Sequence, residues 1–91
     1  NWNVTQYAVL LHMFASVSGL QAGELVHVIA DCHIYDRHVP LVRKMLDNPS
    51  YPAPAFSIDT SVTDFYRFPP DSFRLEGYRY APFGERIPVA V

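Results

Sequence analysis

The sequence is 91 residues long and predicts a single small unit that mixes helices with strands, α+β (α/β) in class. Three patterns predict it. Residues 7–17 are apolar at every position except His12 and Ser16, which is a helical run. Glu24–Tyr35 alternates as a strand does, with an uncharged face of Val26, Val28, Ala30, Cys32 and Ile34. Ala55–Thr60 and Phe73–Tyr78 alternate in the same way near the end of the chain.

Composition limits what such a unit does. A chain this small buries only a little over ~60% of its unfolded surface, so its core is small. Seven Lys+Arg against nine Asp+Glu give a net charge of −2 with no basic block, which removes the electrostatic footprint of a nucleic-acid binder. The one cysteine, Cys32, forms no internal disulfide. Its place on the apolar strand face predicts a buried thiol in a reducing compartment, the cytoplasm. No apolar run reaches the ~18 to 20 residues that cross a bilayer, and no signal-peptide pattern is visible. A soluble protein without a membrane partner is expected.

In chain order, Asn3 suits a helix N-cap, with Gln6 three residues on as in a capping box and Trp2 placed to staple onto Tyr7. His12 and Ser16 lie four apart and share a face. A helix apolar on most sides has to be covered on most sides, and the remaining residues are too few for that. The expectation is therefore a dimer or a chain cut from something longer. Gly19 ends the helix and Gly23 turns the chain into the strand. Beyond Tyr35, Pro40 is tolerable only in a first helical turn, and Leu41, Val42, Met45 and Leu46 recur at helical spacing. A short amphipathic helix over about residues 37–47 follows, with Asp36 as its cap. Asn48–Pro54 holds three prolines and is a loop. Thr63–Phe68 is aromatic and irregular, and the tail from Ala81 cannot be helical throughout.

The chemistry concentrates at the end of the middle strand. Its second face carries Leu25, His27 and Ile29, then Asp31, His33 and Tyr35 in succession. These last three stand in steps of about 6.6 Å, a spacing that suits an extended ligand better than one reacting atom. Adjacent strand residues face opposite ways, so His33 cannot activate Cys32 as a nucleophile. His27, Asp31, His33 and His38 are of the types that bind zinc or iron, but their spacing matches no zinc pattern. No glycine-rich phosphate loop is present, because the four glycines are scattered. Taken by themselves these residues make no complete active site. Arg37 and Arg74 read as solvated, and Asp31 as a structural acceptor.

Several stretches taken together carry a family resemblance. Asn3-Val4, Tyr7-Ala8, Leu10, Met13 and Ala15 open it, followed by Gly19-Leu20 and Gly23. Asp31-x-His33-Ile34-Tyr35-x-x-His38, Phe73-x-Leu75-Glu76-Gly77-Tyr78 and the closing Pro88-Val89-Ala90-Val91 complete it. In this order they resemble the C-terminal third of thymidylate synthase across residues 1–91, which are then a single domain or fragment of that fold. The resemblance implies a long buried helix and a short amphipathic helix packed on a mixed sheet.

It also implies roles. Asn3 corresponds to the asparagine that hydrogen-bonds the uracil ring of dUMP, where an amide serves both a carbonyl and an N–H. His33 and Tyr35 correspond to the pair on the deoxyribose hydroxyl. Ala90 and Val91 correspond to tail residues that fold over the folate co-substrate, 5,10-methylenetetrahydrofolate, and exclude water. Such an enzyme methylates dUMP to dTMP as a homodimer. Its cysteine nucleophile and phosphate-binding arginines lie upstream of the matched third, so no catalytic residue is expected among residues 1–91 and the chain alone is expected to be inactive. Departures exist: Ile29-Ala30 stand where glycine is usual, and the loop from Tyr80 to Ile87 is one residue longer than usual. The alternatives are part of a dCMP or dUMP hydroxymethylase, disfavoured by Asn3 where those enzymes carry Asp, and a non-catalytic association domain.

Overall fold

The run of apolar residues near the start forms a helix, α1 (Trp2–Val17), in a computed structural model that describes residues 2–89. Asn3 lies inside this helix, not at its cap, and Trp2 is 91% exposed instead of stapled to Tyr7. A cap needs an extended backbone just outside the helix, and here the helical pattern already includes Trp2. The other end follows expectation. Gly19 sits at φ +67°. Its N–H donates to the Ser16 carbonyl at 3.2 Å, and the Leu20 N–H donates to the Ala15 carbonyl at 2.9 Å. This crossed pair is the Schellman arrangement, which satisfies the last helical carbonyls and calls for glycine at the left-handed position.

The middle stretch departs from the sequence reading. No strand ladder forms over residues 24–35, and Val26, Val28 and Ile34 of the presumed core face are 79%, 83% and 55% exposed. Cys32 is exposed too, not buried. Alternation reports which side chains share a face, whereas a strand also needs a neighbour to take its backbone hydrogen bonds and a layer to cover its apolar side. Among the described residues neither is present. Gly23 accordingly has an ordinary φ and leads into irregular chain.

Beyond it the elements fall where the pattern puts them. A single 3₁₀ turn, Asp36–His38, leads into α2 (Val39–Leu46), with Pro40 in its first turn, where the missing N–H costs nothing. Asp36 makes no capping bond, since it belongs to the preceding turn and His38 occupies the cap position. Strand β1 (Ala55–Ile58) pairs antiparallel with β2 (Phe73–Glu76), Phe56 opposite Leu75 and Ile58 opposite Phe73. Of the mixed sheet, the described residues form this pair. The aromatic segment makes a 3₁₀ turn at Phe65–Arg67, capped by the Asp64 carboxylate, which accepts from the Tyr66 N–H at 3.0 Å.

Aromatic contacts seat α1 on the hairpin. His12 lies 4.7 Å from Phe56 between ring centroids, and Phe14 stacks on Phe65 at 4.6 Å. The core so made is thin. Ala15 is the one buried hydrophobic residue among those described, so α1 is half-covered where full burial was expected. The Ser16 hydroxyl on the same side has no hydrogen-bond partner among the described residues. The accessible surface is 8100 Å², against about 5,400 Å² for a self-contained protein of this mass. The radius of gyration is 16.8 Å, against about 12 Å for a compact chain of this length. The chain folds locally but leaves most of its apolar residues uncovered.

The Schellman turn provides a test. Gly19→Ala forces a side chain into the left-handed region and should lower unfolding stability by about 1 kcal/mol. The change is read from the urea midpoint at unchanged slope; an unmoved midpoint would mean the turn does not close the helix.

Candidate functional site

Although residues 31–35 are unpaired, they keep the one-sided arrangement that alternation predicts. The His33 Nδ1–H donates to the Asp31 Oδ1 at 3.2 Å, the protonation following from the carboxylate acceptor. Asp31 thus serves the imidazole instead of a backbone group. The His33 and Tyr35 rings meet edge to face, 5.1 Å between centroids at 85°. Tyr35 in turn meets His38 at 5.6 Å and 86°. Leaning together brings the rings of His33 and Tyr35 closer than the ~6.6 Å spacing of ideal strand positions. The result is a row, Asp31, His33, Tyr35, His38, open to solvent, with Tyr35 53% exposed.

This row presents hydrogen-bonding groups to solvent. With Nδ1–H turned to Asp31, the neutral His33 ring leaves Nε2 as an acceptor, and the Tyr35 hydroxyl both donates and accepts. Among the described residues no three His, Cys, Asp or Glu side chains gather as a metal site.

The sequence reading did not foresee two participants. His38 joins the row, and its Nε2–H donates to the Pro88 carbonyl at 2.7 Å. Arg37, expected to be solvated only, donates from Nη1 to the Val89 carbonyl at 3.3 Å. In the sequence His38 stood out as a possible metal-ligand type and as a matched family position, three residues past Tyr35 and so one 3₁₀ turn away, but with no role toward the tail. Of the other expected site residues, Asn3 is exposed on the first turn of α1 and its side chain makes no hydrogen bond among the described residues. Ala90 and Val91 lie outside the described residues.

A second polar recess lies at the end of the hairpin. It encloses about 370 Å³ lined by Ser57, Asp59, Asp71, Ser72 and Arg74. The Asp59 carboxylate accepts from the Ser61 hydroxyl at 2.7 Å and the Ser61 N–H at 2.9 Å. These bonds, with a smaller contribution from the Arg74 charge, hold its carboxyl below the ordinary aspartate range. Asp59 is therefore a turn-forming group. Because its folded pKa is depressed, its stabilising effect is fully present above the ordinary carboxylate range and is lost as pH falls from that range through the depressed folded value. Hydrogen exchange at the Ser61 amide should accelerate on Asp59→Ala at neutral pH, and the acid-dependent part of that exchange should vanish; equal protection in the variant would refute the turn.

One helix on an antiparallel hairpin, with a polar row at the end of an uncovered apolar stretch, defines an α+β segment that buries little by itself. Comparison with known proteins supplies its class. The sequence model of the thymidylate synthase family matches residues 1–91, and the chain belongs to that family. It is 42% identical over 81 residues to the thymidylate synthase of Clostridium beijerinckii, covering 87% of this chain and 31% of that protein. It is 38% identical over 90 residues to that of Bacillus mojavensis, covering 99% of this chain and 31% of that protein. Its fold superposes on thermostable thymidylate synthase A from Bacillus subtilis with a TM-score of 0.84 at 37% identity, covering 98% of this chain and 31% of that one. The chain thus spans about a third of the length of these relatives. Members of the family are methyltransferases. No helix among the described residues is long and apolar enough to cross a membrane.

Proposed function

We propose that this chain is the nucleotide-facing C-terminal part of a thymidylate synthase, acting within a cytoplasmic homodimer that methylates dUMP with 5,10-methylenetetrahydrofolate. The observation that supports it most is the row Asp31–His33–Tyr35 on a chain of this family. A sugar hydroxyl is both donor and acceptor. It donates to His33 Nε2 and accepts from the Tyr35 hydroxyl, while Asp31 fixes the imidazole tautomer that makes this possible. Asn3 reads the base: its carboxamide donates to a ring carbonyl and accepts from a ring N–H, the pattern uracil presents and cytosine does not. Ala90 and Val91 close over the folate and exclude water.

Residues 1–91 supply positioning and no covalent chemistry. The nucleophilic cysteine and the phosphate-binding arginines belong to the remainder of a full-length enzyme, and the exposed Cys32 makes no hydrogen bond to a base among the described residues, the His33 Nδ1 being turned to Asp31. Alone, the chain is inactive.

Two substitutions test this in the full-length protein, by isothermal titration. Tyr35→Phe keeps the ring against His33 but removes one hydrogen bond, and dUMP affinity should fall by about threefold to tenfold. Asn3→Asp should weaken dUMP and relatively favour dCMP, because an ionised carboxylate cannot donate to a carbonyl. An unmoved dUMP affinity in both variants would sink the reading. A wild-type preference for dCMP would replace it with a hydroxymethylase.

A further inference from the structure

The three side-chain hydrogen bonds that join distant parts of the described chain all end on its last residues. They are Lys44 Nζ to Glu85 Oε1 at 2.6 Å, His38 Nε2 to the Pro88 carbonyl at 2.7 Å, and Arg37 Nη1 to the Val89 carbonyl at 3.3 Å. We propose that Arg37 and His38 are positioning residues that latch the C-terminal segment beside the Tyr35 ring, with the Lys44–Glu85 pair fixing where that segment crosses α2.

The order of the contacts makes this a strap and not a chance touch. Glu85 meets the last turn of α2, Pro88 the residue before its start, and Val89 the residue before that. The tail therefore runs antiparallel to the helix. From Lys44 back to His38 is about 9 Å of helical rise, and three residues of extended chain from Glu85 to Pro88 cover about 10 Å. The lengths match. Gly84 stands at φ +68° just before the strap and makes the bend that a side chain would oppose. Among the described residues no strand or helix is formed after Glu76, so side chains hold the tail where backbone ladders do not.

Backbone carbonyls are the acceptors at both ends of the latch, so it grips the tail whatever side chains follow. His38 gives the latch its meaning. The imidazole that holds Pro88 through Nε2 also abuts the Tyr35 ring, so one side chain sets both the tail and a member of the sugar-binding pair. Each of these bonds is open to solvent, with His38 itself half-buried, and a single such hydrogen bond shifts a closing equilibrium by roughly threefold to tenfold.

The inference rests on the proposed function for its consequence, and on geometry alone for the latch. In the full-length protein, His38→Ala and Arg37→Ala are compared with wild type by two readouts: carboxypeptidase release of the terminal residues, and KM for methylenetetrahydrofolate alongside Kd for dUMP. Both variants should lose the tail about threefold to tenfold faster and raise the folate KM by a similar factor, and Arg37→Ala, whose side chain lies outside the row, should keep dUMP affinity within about twofold. His38→Gln, whose carboxamide N–H reaches the same carbonyl, should restore both. Unchanged release in both alanine variants overturns the latch. A loss of dUMP affinity in Arg37→Ala in step with the folate KM overturns the positioning role, because a general structural lesion predicts it. If wild type fails to bind dUMP while the alanine variants still release the tail faster, the latch stands and the proposed function falls.

Discussion

An apolar strand face without a layer over it is the constraint from which the other features follow. Val26 and Val28 stand almost fully in water, on a stretch whose backbone pairs with nothing among the described residues. Covering each such side chain is worth about 1.5 to 3 kcal/mol, and each buried backbone group needs a partner. The same shortage leaves α1 half-covered and leaves cavities between its apolar side and the hairpin, one of about 280 Å³ lined by Val4, Ala8, Val9, Phe56 and Leu75 among others. Those surfaces stand open among the described residues. That the chain spans about a third of its relatives' length accords with this.

The polar row gains from its position at the end of that stretch. His33 and Tyr35 need no partner strand to find each other, since two positions along extended chain put them on one side, and Asp31 holds the imidazole from the position before. Their common side is a local property. What they face is not, and depends on the missing layer. The latch adds a third element of order by bringing the far end of the chain to the same corner through His38 and Arg37.

Much of this was legible from residues alone, for stated reasons. Pro40 confines a helix start to one turn, Gly19 marks a left-handed stop, and the alternation of Phe56 and Ile58 fixes a strand face; each is a local rule, and each element formed. The strand over residues 24–35 did not, because alternation is local whereas pairing is not, and Cys32 stayed exposed for the same reason. Asn3 failed as a cap because the helix extends past it to Trp2. The contacts of Arg37, His38 and Lys44 with the tail escaped notice because exposed polar side chains meeting across 41 to 52 residues leave no periodic trace. The family resemblance supplied the roles proposed for Asn3, His33 and Tyr35, since residue types at matched positions carry what periodicity cannot.

On the proposed function, residues 24–35 become a paired and covered strand only with the remainder of a synthase around them. Amide hydrogen exchange measured along that stretch, in the 91-residue chain and in a full-length protein containing it, tests this most directly. Rapid exchange in the chain alone and slowing of at least about a hundredfold in the larger protein, the effect of an opening free energy near 2.7 kcal/mol, is the expected result. Equal, rapid exchange in both, or full protection already in the monomeric chain, would contradict it.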